Sequence, residues 1–177
     1  SPEAVAEASA LVVERVQGLV AYSEARLIAS YMSRDGEIDP GELMAGEGPR
    51  VALPVTRRDE ILQFVIPDGP FESGPFGIRQ PATGRVVYPT EFEVVLVPLV
   101  AVDFMGNRLG HGAGYYDRTF AFRRDLVHPI LVGLAHQFQV VEVIQPNPWD
   151  IPVDLVVTDT GILGPGIAPS ASSMGED

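Results

Sequence analysis

The sequence predicts an α/β domain, a three-layer α/β/α sandwich built on a mostly parallel central sheet. Three observations carry that expectation. Helix-like and strand-like segments interleave along the chain, and the longest apolar runs, 92–102 and 129–135, are hydrophobic on both faces, as covered parallel strands are. A glycine-rich loop follows the first of those runs directly, at the place where open α/β sheets hold their ligands. The 177 residues suffice for one buried core, and no repeat or linker divides them. Residues 1–160 are therefore expected to form one domain, with 161–177, GILGPGIAPSASSMGED, as a disordered tail of small and polar residues.

Each element follows from local pattern. Residues 4–21 place Val5, Ala8, Leu11, Val12, Val16, Leu19 and Val20 near a 3.6-residue repeat, which predicts an amphipathic helix. ARLIASYM then reads as a short strand ending near Tyr31. Asp39-Pro40-Gly41-Glu42 opens a short helix to about Ala45, with Asp39 as cap and Glu42 in the capping-box position. VALPV (51–55) and ILQFVI (61–66) flank the polar turn TRRDE and predict a hairpin or neighbouring strands. From Pro67 to Pro89 the density of Pro and Gly predicts a long loop. FEVVLVPLVAV (92–102) is a buried strand, YYDRTFAF opens a helix, and PILVGLA (129–135), VVEVI (140–144) and DLVVTDT (154–160) are the remaining strands.

Composition excludes several functions. The chain has 24 Asp and Glu against 12 cationic residues, a formal charge of -12, which opposes a nucleic-acid partner. No apolar run approaches the roughly 18 to 20 residues of a membrane span. The absence of cysteine removes thiolate, disulfide and Cys-ligated metal chemistry. All the cationic side chains are arginine, so a Walker A lysine and lysine Schiff bases are also excluded. SPEAVAEASA lacks the basic and apolar regions of a secretory signal, and the cytoplasm is the expected compartment.

The chemistry concentrates in RLGHGAGYYDR, residues 108–118. Alternating Gly110, Gly112 and Gly114 can turn successive N–H groups toward one anion, and Arg108 and Arg118 can add bidentate contacts to phosphate oxygens. Taken alone, the same string also fits a tight strand-to-helix turn. A dinucleotide GxGxxG fingerprint does not fit. Asp117 can hold a divalent ion that bridges phosphates.

NRLGHGAGYYDR, preceded by VLVPLVAVDFMG, resembles the signature of the 5-formyltetrahydrofolate cyclo-ligase (5,10-methenyltetrahydrofolate synthetase) family. The resemblance extends collinearly through YMSRDGEID from Tyr31, VALPV from Val51, FGIRQP from Phe76, the Gln137 region and PWDIPVD from Pro148, covering roughly 20–158. It implies an α/β fold and an ATP- and Mg-dependent conversion of 5-formyltetrahydrofolate to 5,10-methenyltetrahydrofolate, with release of ADP and phosphate. The formyl oxygen is phosphorylated, N10 attacks the activated carbon, and phosphate leaves; no nucleophilic side chain is required.

Carried over by position, the resemblance implies ATP contacts at Arg108, Leu109, Gly110, His111, Gly112, Ala113, Gly114, Tyr115 and Tyr116. Folate contacts fall on Met32, Glu37, His111, Gly112, Ala113, Gly114 and Tyr115, and the metal ligands are Asp117 and Asp150. Two departures accompany these assignments. Ala113 stands at a position often glycine or basic, and nothing before Ala4 resembles the basic ATP-contacting helix with which members generally begin. Either a natural segment precedes Ser1, the favoured reading, or the protein binds nucleotide less well. The rival readings are a sugar-phosphate isomerase-like enzyme and a non-catalytic nucleotide or folate binder.

Several of these residues have plainer local readings. Glu37 alone reads as a solvated loop carboxylate, and Asp150 among prolines as a turn cap. Asp103 reads as a turn former with Gly106, Phe76 and Trp149 as packing residues, and His128 and His136 as structural. No acid–base role is expected of His111.

Overall fold

The computed structural model describes residues 1–58, 60–165 and 167. Ser1 caps helix α1 (Pro2–Gln17), its hydroxyl accepting the Ala4 N–H. Ala8, Val12, Val13 and Val16 form the buried stripe of α1, as the sequence repeat requires. The helix does not run to 21: it stops at Gly18, a poor helix former, and α2 (Val20–Glu24) starts afresh.

Strand β1 (Leu27–Ala29) leads toward a single 3-10 turn, Gly41–Met44, in place of the expected short helix; Pro40 rather than Asp39 holds its cap position, and the Asp39 carboxylate accepts the Gly41 N–H at 2.9 Å from one residue further back. Next come β2 (Arg50–Val55) and β3 (Gln63–Pro67), the expected hairpin. The segment 67–89 is not merely a loop. It holds β4 (Phe71–Ser73), β5 (Arg79–Pro81) and β6 (Gly84–Val87), and β6 pairs with β3 and buries Val87. Here the prolines and glycines bound short strands rather than exclude them.

Strand β7 (Val94–Pro98) is shorter than the 92–102 run, because Ala101–Val102 (β8) turns away to pair with β9 (Arg108–Leu109) in a separate ribbon. Helix α3 (Tyr115–Thr119), β10 (Ile130–Ala135), β11 (Leu155–Thr158) and β12 (Ile162–Leu163) complete the chain. VVEVI is not a strand. Val140 makes one bridge to Val102, while Val141 and Val143 face solvent, so their spacing reflects a surface segment. The expected tail begins too early: Leu163 pairs with Val156 and is buried. Gly166 and residues 168–177 lie outside the described residues.

The main sheet runs β12-β11-β10-β7-β1-β2-β3-β6, parallel from β11 through β2 and antiparallel at both margins. In β7, Val94 and Leu96 join the core beneath α1, and Val95 and Val97 join the opposite core around Phe64, Phe92 and Phe120. Period-two alternation thus makes both faces of an all-apolar strand useful. Helix α3 and its following 3-10 turn (Ala121–Arg124) lie with the Phe120 side, and α1 with the other, giving the three layers. From β1 the chain moves to β2 on one side and later to β7, β10 and β11 on the other, so the strand order reverses between β1 and β7. Ligands of open α/β sheets bind beyond the carboxyl ends of strands at such a reversal. Among the described residues no helix is long and apolar enough to cross a membrane.

Candidate functional site at the strand reversal

A cavity of about 400 Å3 opens at that reversal. Pro54 and Pro98, at the carboxyl ends of β2 and β7, form part of its floor, and Tyr31, Met32, Arg34 and Glu37 enter from the segment after β1. The whole stretch Arg108 to Asp117 supplies another wall, with Trp149 and Asp150 beside it. Residues far apart in sequence meet because β1 and β7 are adjacent and parallel.

Asp103 sets the entry to the glycine loop. Its buried carboxylate accepts the N–H groups of Met105, Asn107 and Ile144, each at 2.9 Å, and the Asn107 side-chain amide at 3.1 Å. It is the turn former expected with Gly106, whose N–H reaches the Asp103 carbonyl. It also anchors the 140s segment, which sequence spacing does not disclose.

Within the loop, Gly112 and Gly114 take left-handed backbone (φ 93° and 67°), whereas Gly110 does not. Gly114 begins α3. Arg108 Nη2 donates to Asp117 Oδ1 at 2.9 Å, and the Ile151 N–H donates to the same oxygen at 2.9 Å. The buried Nε of Arg108 has no hydrogen-bond partner among the described residues. An anion drawn against this guanidinium offsets the cost of that unsatisfied group. Arg118 is placed otherwise than expected: it donates to the Ala113 carbonyl at 2.6 Å and lies over the Tyr115 ring at 5.1 Å. It braces the loop from outside the cavity lining.

Across the cavity, Glu37 is not the solvated carboxylate its local sequence implies; its side chain is 13% exposed. Oε2 accepts the Arg34 N–H and Oε1 meets His111 Nε2, both at 2.7 Å. Tyr31 donates to the Ile38 carbonyl at 2.8 Å, and burial, with added repulsion from Glu37, raises its phenol well above the usual tyrosine range. Burial also pushes the Tyr116 phenol up, against a smaller opposing effect of Arg108. Phe76 and Trp149 are 63% and 61% exposed and line the cavity, so packing is not their main role.

His136 Nε2 donates to the Gly36 carbonyl at 2.8 Å, supporting the Glu37 turn, in keeping with the structural role expected of it. Gln137 holds the Thr158 and Thr160 hydroxyls on its Oε1 and does not line the cavity. Residues not singled out by motif include Thr56 and Gln80; Gln80 Oε1 accepts the Thr56 N–H at 3.0 Å and helps shape the wall. Gln80 lies within the stretch FGIRQP and Thr56 directly follows VALPV, the one signal that the sequence carries for either.

Asp117 and Asp150 both line the cavity, and Asp150 also caps a turn by accepting the Asn147 N–H at 2.8 Å. Among the described residues no group of three or more His, Asp or Glu could enclose a metal ion. Asp117 Oδ2 and Asp150 Oδ1 take no hydrogen bond among the described residues. That pattern fits Mg, which takes one or two carboxylates and completes its octahedron with water and phosphate oxygens.

The sequence profile of the 5-formyltetrahydrofolate cyclo-ligase family matches residues 1–159. The 5-formyltetrahydrofolate cyclo-ligase of Haemophilus influenzae is 35% identical, over 85% of this chain and 86% of that protein. The enzyme of the same name from Saccharomyces cerevisiae is 31% identical, over 89% and 87%. The solution structure of Aquifex aeolicus 5,10-methenyltetrahydrofolate synthetase superimposes with a TM-score of 0.80 at 30% identity, covering 96% of this chain and 87% of that one. The corresponding Mycoplasma pneumoniae synthetase, at 22% identity and a TM-score of 0.70 over 90% and 89%, shares the fold.

Proposed function

Given that the chain belongs to the 5-formyltetrahydrofolate cyclo-ligase family, we propose that the cavity at the β1–β7 reversal is where it binds ATP and the reduced folate. The enzyme converts 5-formyltetrahydrofolate to 5,10-methenyltetrahydrofolate at the expense of ATP. One observation carries the site assignment: the glycine loop and the Met32–Glu37 segment, separated in sequence, face each other across one cavity and touch through His111 and Glu37.

A formamide carbonyl is a poor electrophile, so its oxygen attacks the γ-phosphorus and displaces ADP. N10 then adds to the activated carbon, and the C–O bond breaks, sending the formyl oxygen, the phosphoryl group and the N10 proton out as phosphate. In this scheme the protein positions reactants and neutralises charge. Arg108, steadied by Asp117, and the amides of residues 109–116 receive the phosphates. Glu37 accepts the paired N–H donors of the aminopyrimidine edge, while Met32 and Tyr115 offer apolar and stacking surface. Asp117 and Asp150 would hold Mg, which when bound would supply positive charge to offset that of the phosphates.

Residues 1–163 act in this reading as one ATP- and folate-binding domain, and an enzyme drawing on ATP and reduced folate has its place in the cytoplasm. The isomerase-like and non-catalytic readings are not favoured, because the family match spans residues 1–159 rather than the glycine loop alone. The test is growth of methenyltetrahydrofolate absorbance when the full-length natural protein meets 5-formyltetrahydrofolate and Mg-ATP. Absence of growth would sink the reading.

A further inference from the structure

The tip of the glycine loop is lightly held. Gly112 has open space around it, and the Arg118 contacts brace Ala113 and Gly114 from the loop's own side. Among the described residues, one hydrogen bond joins the 110–114 tip to the opposite wall: His111 Nε2 to Glu37 Oε1, at 2.7 Å across 74 positions of sequence.

Glu37 does not lose its binding capacity through this contact. A carboxylate offers about four lone-pair positions, and the Arg34 N–H and His111 occupy one on each oxygen. One lone pair per oxygen remains, the number a two-donor ligand edge needs. The two existing donors also fix the plane of the carboxylate, which is otherwise free to rotate.

From this geometry we infer that His111 is a positioning residue that couples the two halves of the cavity, so that occupancy of the folate half orders the phosphate loop and occupancy of the loop orders Glu37. The inference rests on the reading of Glu37 as the folate carboxylate. A donor-rich ligand that immobilises Glu37 also immobilises the His111 ring and with it the loop tip, so the nucleotide then meets a loop already ordered. By linkage the nucleotide must tighten folate binding by the same factor. His111 touches neither reacting atom; its effect passes through Glu37 and the loop backbone.

The experiment is a binding cycle on the full-length protein. 5-Formyltetrahydrofolate is titrated by calorimetry with and without a saturating non-hydrolysable ATP analogue and Mg, and the analogue is titrated with and without folate. Wild type is expected to show coupling of about tenfold in both directions. His111→Ala should bring it to within about twofold, and His111→Gln, which keeps a donor, should restore part of it. In a Glu37→Gln background, His111→Ala should change the coupling no further.

Retention of the full coupling by His111→Ala, or its absence from wild type, overturns the inference. If wild type binds neither ligand, the site assignment itself fails, which is a separate outcome. Thermal unfolding of each variant shows whether it is folded, and the Gln variant answers the question should the Ala variant unfold.

Discussion

Arg108 and Asp117 meet at 2.9 Å although they stand nine positions apart across loop and helix, and their side chains are only 7% and 15% exposed. The loop between them is therefore clasped at its two ends by one ion pair, with the glycines bowed out into the cavity.

That clasp changes what Asp117→Asn should do. At a residue that only held a metal, the substitution would have little bearing on stability. With Arg108 buried against it, loss of the charge is expected to lower unfolding free energy by about 3 kcal/mol, the low end for breaking a buried pair. Turnover should fall as well. Urea unfolding and steady-state rates at varied Mg check both effects; an unchanged urea midpoint would show that the pair contributes no stability.

Glu37→Gln keeps the size and one acceptor oxygen but removes the charge and the second acceptor. The KM for 5-formyltetrahydrofolate is expected to rise about 10- to 100-fold, as for lost hydrogen bonds to a charged group. The dissociation constant of a non-hydrolysable ATP analogue measured without folate should change much less, because no coupling through Glu37 acts there. An equal rise in both would mean that Glu37 serves the loop rather than the folate.

Gly114→Ala forces a side chain onto backbone at φ 67°, with the new Cβ 3.1 Å from Arg118 Nη1. The expected cost is about 1–2 kcal/mol for left-handed backbone, falling on the loop that α3 begins from. The KM for ATP should rise more than the global stability drops, which parallel kinetics and denaturant curves would reveal.

High pH should unfold the protein through its buried phenols. An unfolded tyrosine ionises near pH 10, whereas burial keeps Tyr31 and Tyr116 protonated above that value in the folded chain. Once pH exceeds about 10, the native state therefore holds more protons than the unfolded state. The phenols' contribution is complete below that pH and is lost as pH climbs toward the raised folded values. Denaturant unfolding between about pH 9 and 11 should show stability falling, with a shallower fall in Tyr31→Phe. The same variant should lose about 1 kcal/mol at neutral pH, because the Ile38 carbonyl loses its donor.

Both the glycine loop and its neighbourhood were legible in the sequence to the extent that their chemistry is local. RLGHGAGYYDR announces an anion nest because glycine and arginine carry that capacity themselves, and the doubly apolar 92–102 run announces a covered strand. Pattern over a short range does not say which strand edge is open, so segment 67–89 and VVEVI differ from expectation: β6 pairs with the edge of β3, whereas 140–144 makes a single bridge to Val102 and a hydrogen bond to the Asp103 carboxylate. Phe76 and Trp149 were misread for the same reason, since hydrophobic type says nothing about whether a wall or a cavity stands opposite.

By itself, then, the sequence determined the α/β class, the family and the chemical capacity of residues 108–118. Tertiary structure decided who partners whom: that Asp117 answers Arg108, that Arg118 turns outward to Ala113, and that Glu37 reaches His111. Hydrogen-bonding capacity belongs to the residue type, but a partner 74 positions away exists only once β1 and β7 lie side by side and bring the ends of both strands to one opening.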